Sequence, residues 1–176
     1  MGRLIVCQAL YMFFDQNNED KEMENILDAI GKYYIGYIYM VDDFTIKNGT
    51  NDYKKLHRSK FVVGLANYAL QNAPQFDLRI KKYLTRDNPL ETIDPMLTQI
   101  MRVAIGEREL YPNLSKSIII DEYANIAGNF FNDAYVSFVN GILPNIFSNG
   151  EPPVRDKKES VDKGTNGGRK ILSLKK

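Results

Sequence analysis

The 176-residue sequence contains one cysteine and one histidine, which excludes several classes of function. The single cysteine, Cys7, cannot form an internal disulfide, and this indicates a reducing, cytoplasmic environment. One histidine, His57, is too few for most zinc sites and for most nucleophile–base pairs. Because His57 lies in the charged stretch KKLHRSK, we expect it to be a solvated surface residue. We therefore expect no catalytic residues, no metal and no cofactor.

Long hydrophobic runs are also absent. The longest unbroken apolar stretch, YYIGYIYMV at 33–41, is much shorter than the roughly twenty residues that span a bilayer. The apolar N-terminal segment lacks a small-residue cleavage site, so we expect neither a signal peptide nor a membrane partner. The glycine-containing stretch GTNGGRK at 164–170 lacks the spacing of a phosphate-binding loop, and no strand precedes it. This stretch therefore gives no support for an enzyme.

What the sequence does contain is helical spacing of its apolar residues, while the alternation typical of strands is scarce. Pro74 suggests a break between two helices, and Asp94-Pro95 combines a favourable N-cap with a proline at the first helical position. The sequence predicts an all-α fold of about seven helices around one or two cores. The predicted helices lie at about 2–16, 20–40, 52–72, 75–85, 95–110, 118–131 and 134–148.

The charge is unevenly distributed. Residues 151–176 contain eight basic and four acidic side chains, so they carry +4, and the other 150 residues carry −3 of the total of +1. A basic, glycine-containing segment with few aromatic residues is usually disordered. We predict one folded domain at 1–150 and a disordered basic tail at 151–176. The tail is either simply solvated or binds an anionic partner.

The stretch FVNGILPNI at 138–146 allows two interpretations. Asn-Gly between apolar residues favours a hairpin turn, whereas the apolar residues recur at helical spacing. The longer apolar stripe favours the helix, and Gly141 then indicates a place where another backbone packs closely.

The first predicted helix has a core side and a second side. The second side contains Arg3, Cys7 and Tyr11. Arg3 and Tyr11 either border the core or form an exposed face that suits a phosphate and a base. The residues expected on the core side are Ile5, Val6, Ala9, Leu10, Met12 and Phe13.

Three stretches together resemble the NusB family of bacterial transcription antitermination factors. RLIVCQALY at 3–11 resembles the opening helix of the family, and IMRVAIGEREL at 100–110 resembles its I-L-R-L-A helix. IDEYANIAGNFFNDAYVSFVNGIL at 120–143 resembles the segment that ends in F-V-N-G-V-L. The resemblance covers about residues 3–146.

The resemblance implies two small helical bundles packed together and a role in binding rather than catalysis. NusB-like proteins bind a ribosomal small-subunit protein, called NusE in this role, and together they hold a single-stranded boxA element of nascent ribosomal and other transcripts. The transcription elongation complex thereby becomes resistant to termination. Carried over by motif, the RNA-binding residues are Arg3, Tyr11, Arg102, Phe130 and Phe138.

Each of these residues has an expected role and an alternative. We expect the arginines to contact phosphates and the aromatic residues to stack on bases or to hydrogen-bond. Alternatively, Phe130 and Phe138 belong to the core, and Arg102 is a buried structural tie to Glu107 or another carboxylate.

Two rival functions remain open. The family usually has a run of arginines before its first helix, and only Arg3 is present here. This difference, with the apolar Val136, favours a protein-only helical adaptor that keeps the fold without binding RNA. The same fold also resembles the N-terminal part of certain ribosomal-RNA cytosine methyltransferases, which suggests an enzyme accessory. No dinucleotide-type glycine-rich loop accompanies it here.

Overall fold

The computed structural model describes residues 1–15, 22–41, 56–86 and 88–148, and within these ranges it contains six α-helices and no strand. The predicted all-α fold is confirmed. The predicted domain end at 150 and the predicted tail at 151–176 lie outside the described residues. Across the described ranges, no helix combines the length and the apolar character needed to cross a membrane. The helices are α1 Gly2–Asp15, α2 Met23–Val41, α3 Lys60–Lys81, α4 Pro95–Leu110, α5 Lys116–Gly128 and α6 Asp133–Ser148.

Helix α3 replaces two predicted helices, because the expected break at Pro74 does not occur. An interior proline removes one helical hydrogen bond and costs about 3 kcal/mol. Pro74 lies on the exposed side of α3, while the buried side continues through it with Ala73 and Phe76. Because the buried stripe runs on to Ile80, core packing outweighs the local cost.

The predicted helix starts at α4 and α6 are confirmed by their capping geometry. The Asp94 side chain accepts a hydrogen bond from the Met96 N–H at 2.8 Å, and Pro95 occupies the first helical position. At α6, the Asn132 side chain accepts from the Ala134 N–H at 3.1 Å. Each cap satisfies a backbone donor that the helix cannot satisfy itself. From this start α6 continues to Ser148, so the stretch 138–146 is helical and does not form a hairpin turn.

Helix α4 is the centre of the fold. Helices α1, α2 and α3 pack together with one another, and α1 and α3 also pack against α4. The α5–α6 pair packs on α4 as well, so the two groups of helices share α4 and one continuous core. Every residue from Met96 to Glu107 is buried. Polar side chains on this helix must therefore find partners within the protein.

Cys7 corrects the expected division of α1 into two sides. It was placed with Arg3 and Tyr11 on the side away from the core, but it is fully buried. The reason is that α1 contacts α2, α3 and α4, so it is enclosed on more than one side. Burial raises the pKa of the Cys7 thiol, and the nearby carboxylate of Glu107 raises it further. Cys7 is thus a core residue.

His57 also differs from the expectation, because it is buried rather than solvated. Its ring packs directly over Gly31 of α2, and its Nε2 lies 3.3 Å from the Asp28 carboxylate. The adjacent Arg58 pairs with the same carboxylate. The charged sequence around His57 gives no hint of this contact, because the contact depends on how Leu56–Arg58 folds onto α2.

Gly31 and Gly141 should respond in opposite ways to alanine. A Cβ atom at Gly31 would lie 2.3 Å from Nδ1 of His57, whereas one at Gly141 meets nothing within 4 Å. The close packing expected at Gly141 is therefore wrong. We expect Gly31→Ala to lower the free energy of unfolding by about 1–3 kcal/mol, and Gly141→Ala to raise it by up to about 1 kcal/mol.

Urea denaturation followed by circular dichroism measures both changes. Gly64→Ala is the matched control, since a Cβ there also meets no neighbour within 4 Å. Equal stability of the Gly31→Ala and Gly64→Ala variants would contradict the His57–Gly31 contact.

Candidate nucleic-acid interface

Arg3 at the start of α1 is held by two carboxylates. Its Nε and Nη2 donate to the two oxygens of Glu107 at 2.8 and 2.7 Å, and its Nη1 donates to Glu122 at 3.2 Å. Its guanidinium carbon also lies 5.9 Å from the centre of the Phe61 ring. Arg3 therefore makes a bidentate ion pair with Glu107 of α4 and a weaker, exposed hydrogen bond to Glu122 of α5.

The Glu107 carboxylate is completely buried and is shared by three helices. Besides Arg3 it accepts a hydrogen bond from the Tyr123 hydroxyl of α5 at 2.7 Å. The hydrogen bond to Glu107 raises the pKa of Arg3, and burial raises the pKa of Tyr123 well above its ordinary value. Both donors consequently keep their protons at neutral pH. The charge of Glu107 is compensated by Arg3.

Arg102 in α4 is buried and also paired. Its Nε and Nη2 donate to both oxygens of Asp77 in α3 at 2.8 and 2.7 Å, and its Nη1 donates to Gln99 at 3.1 Å. The Phe14 ring covers the guanidinium at 4.5 Å. This geometry matches the alternative of a structural tie, with Asp77 rather than Glu107 as the carboxylate.

The contacts made by Arg3 and by Arg102 lie at opposite ends of the interface between α1 and α4. Arg3 near the start of α1 reaches Glu107 late in α4, whereas Phe14 at the end of α1 reaches Arg102 earlier in α4. Helices α1 and α4 are therefore antiparallel. Glu107 lies five positions after Arg102 in α4, which corresponds to about 7.5 Å along the helix axis.

Tyr11 is half-buried and borders an open cavity of about 410 Å³ between α1, α2 and the start of α4. The cavity is lined mainly by apolar atoms, so the Tyr11 ring borders a mainly apolar surface. Its lining residues are Gln8, Tyr11, Met12, Ala29, Ile30, Tyr33 and Met96.

Phe130 and Phe138 lie on the α5–α6 pair and differ in exposure. Phe130 follows the end of α5 and is 40% exposed, so the core alternative does not fit it. Phe138 is half-buried and packs partly against the core. An exposed phenylalanine ring is a suitable surface for stacking a base.

Sequence reasoning missed two aromatic residues that continue from Phe130, namely Phe131 and Tyr135. The Phe131 ring lies 6.3 Å from the Phe130 ring, and the Tyr135 ring lies 4.9 Å from the Phe131 ring. Three aromatic residues within six positions, around the Asn132 turn, are the sequence signal that could have revealed them.

In the part of the chain that the structure describes, no three His, Cys, Asp or Glu side chains are grouped closely enough to hold a metal ion.

Within the described residues, six helices that share a central α4, with two arginines paired to carboxylates, define the chain as an all-α helical-bundle protein. The family model described as NusB family matches residues 2–148. The chain belongs to the NusB family. This assignment confirms the resemblance noted in the three sequence stretches.

Individual relatives agree with this assignment. The chain is 29% identical over 147 residues to the transcription antitermination protein NusB of Rickettsia akari, covering 83% of this chain and 88% of that protein. It is 30% identical over 148 residues to the protein of the same name from Rickettsia typhi, with the same coverage. The structure of T. maritima NusB superposes with a TM-score of 0.60 at 23% identity, covering 86% of this chain and 91% of that one. The last comparison establishes a common fold.

Proposed function

We propose that this protein is a transcription antitermination factor that binds a boxA-type single-stranded RNA together with the ribosomal protein that acts as NusE. The complex makes RNA polymerase resistant to termination, notably on ribosomal RNA operons. The protein acts in the cytoplasm as part of the transcription elongation complex, and it binds rather than catalyses. The observation that carries this proposal is the family match over residues 2–148.

The aromatic residues supply the base contacts in this proposal. Phe130 is exposed enough to stack on a base, while Phe138 and Tyr11 present the uncovered parts of half-buried rings. Stacking a base on an aromatic side chain contributes about 1–3 kcal/mol. These rings give affinity without requiring a particular base.

Arg3 contributes a single phosphate contact through Nη1. Because Glu122 is exposed and its bond to Nη1 is long, a phosphate oxygen can replace it while the Nε and Nη2 bonds to buried Glu107 remain. Arg102, covered by Phe14 and paired with Asp77, positions α3 against α4 rather than touching the RNA. The basic side chains of 151–176 then supply the remaining phosphate contacts.

Titration of a fluorescent boxA-type RNA with the full chain tests the proposal. The titration is run with and without NusE, at about 50 and about 200 mM salt. We expect RNA binding that is tightened by NusE and weakened by salt. Replacing the eight basic residues of 151–176 with glutamine is expected to reduce the salt slope by about 0.7 for each phosphate that the tail no longer neutralises.

A scrambled RNA of the same composition is the control for sequence selectivity. Equal affinity for both RNAs, or no binding with NusE at the lower salt concentration, would refute the proposal.

A protein-only adaptor is the second candidate function. The observation that favours it is that both arginines expected to contact RNA are already paired with carboxylates. The same titration separates the two functions, because an adaptor adds no RNA binding, either alone or together with NusE.

A further inference from the structure

Four aromatic side chains lie where α5 turns into α6, and ring contacts link three of them. Phe130, Phe131 and Tyr135 are linked by ring contacts of 6.3 and 4.9 Å. Phe138 lies three residues beyond Tyr135 and hence on the same face of α6. We refer to these four residues as the aromatic strip.

The backbone holds the strip in an exposed position. The Phe131 N–H donates to the Ala127 carbonyl at 2.9 Å, and the Tyr135 N–H donates to the Asn132 carbonyl at 3.0 Å. Phe131 packs partly against the core and serves as the anchor. Phe130 and Tyr135 contact it and remain 40% and 41% exposed. Exposed aromatic rings on an ordered turn are typical of a binding surface.

The charges around the strip favour bases over phosphates. Between positions 129 and 148 the sequence has no lysine or arginine, and its one charged residue is Asp133. The exposed polar residues from 129 to 140, besides Asp133, are Asn129, Asn132, Ser137 and Asn140. Amide groups beside aromatic rings match the stacking and edge hydrogen bonds by which single-stranded bases are recognised.

We propose that Tyr135 is a base-stacking residue, and that the aromatic strip binds consecutive bases of a single-stranded RNA through Phe130 and Tyr135 with Phe131 as their support. This inference rests on the proposed function, and it extends that function to two aromatic residues to which the resemblance gives no role. Because the strip lacks cations, its contribution to RNA affinity does not depend on salt.

Substitution of Tyr135 in the full chain tests this inference. We expect Tyr135→Ala to weaken binding of the boxA-type RNA by about 5- to 150-fold at both salt concentrations, with an unchanged salt slope. Tyr135→Phe keeps the ring and should bind within about twofold of the unsubstituted chain. Circular dichroism should show unchanged helicity, because Tyr135 lies on the surface.

Tyr111→Ala is the matched control. Tyr111 is 38% exposed and also lies beside another ring, that of Phe61 at 5.7 Å, but it is at the end of α4. We expect the Tyr111→Ala variant to bind the boxA-type RNA with the same affinity as the unsubstituted chain. As a second readout, RNA with photoreactive uridines should crosslink at the Tyr135 side chain itself and not at Tyr111.

The outcomes separate this inference from the proposed function. If the full chain binds RNA and Tyr135→Ala binds equally well, the strip inference is wrong and the proposed function stands. If Tyr135→Ala weakens binding of NusE but not of RNA, the strip is a protein surface and the inference is again wrong. If the full chain binds no RNA even with NusE at the lower salt concentration, both proposals fail.

Discussion

The Arg3→Met variant is expected to unfold with a free energy about 3 kcal/mol lower than that of the unsubstituted chain. The substitution removes both Arg3 hydrogen bonds to Glu107, whose carboxylate is fully buried in α4. The Tyr123 hydroxyl remains as a partner, but it carries no compensating charge. Removing one member of a buried ion pair costs about 3–5 kcal/mol, and partial exposure of Arg3 places the effect at the lower end.

Urea denaturation of three variants measures this effect and its cause. Glu122→Gln is the matched control, because it removes the exposed contact of the same guanidinium and should change stability by less than about 1 kcal/mol. In the Arg3→Met/Glu107→Gln variant the buried charge is gone, so we expect part of the loss to be recovered. If Arg3→Met is as stable as Glu122→Gln, the Arg3–Glu107 pair has no structural role and the whole guanidinium is available to a phosphate.

The Arg102→Met variant is expected to lose about 2 kcal/mol of stability. The change leaves the Asp77 carboxylate without its two bonds from Arg102, and it also removes the guanidinium from beneath the Phe14 ring. Because the Asp77 carboxylate is partly exposed to water, leaving it unpaired costs less stability than leaving a fully buried carboxylate unpaired.

Asp77→Asn distinguishes a structural tie from an RNA contact at Arg102. As a structural tie, Arg102 loses its partner, so Asp77→Asn should reduce the urea midpoint and leave RNA affinity of the folded protein unchanged. An RNA-contacting Arg102 would instead be released by Asp77→Asn, and RNA binding would become tighter. Urea denaturation and RNA titration on the same samples separate these results.

The parts of the fold that sequence could predict are those determined by nearby residues. The Asp94-Pro95 start of α4 depends on a cap two residues from its donor, and the helical interpretation of 138–146 depends on apolar spacing within one helix. Both predictions were confirmed. The predicted helix break at Pro74 was wrong. The free energy gained by burying one side of α3, which depends on the whole fold, exceeds the free energy that one interior proline costs.

The residues of the candidate site were harder to predict, because their surroundings come from distant parts of the chain. The partner of Arg3 lies 104 positions away, and that of Arg102 lies 25 positions away. No local pattern indicates such pairs. Motif resemblance identified both arginines as candidates, and the alternative of a carboxylate tie was weighed for Arg102 alone, without identifying Asp77 as its partner. The burial of His57 against Gly31 was missed for the same reason.

The long separation between Arg3 and Glu107 has a consequence for biosynthesis. Arg3 is translated about 104 residues before its partner, and at about 5–20 residues per second this interval lasts roughly 5–20 s. During this time Arg3 lacks both of its carboxylate partners, Glu107 and Glu122. The hydrogen bonds that fix Arg3 of α1 therefore form only after Glu107 of α4 has left the ribosome.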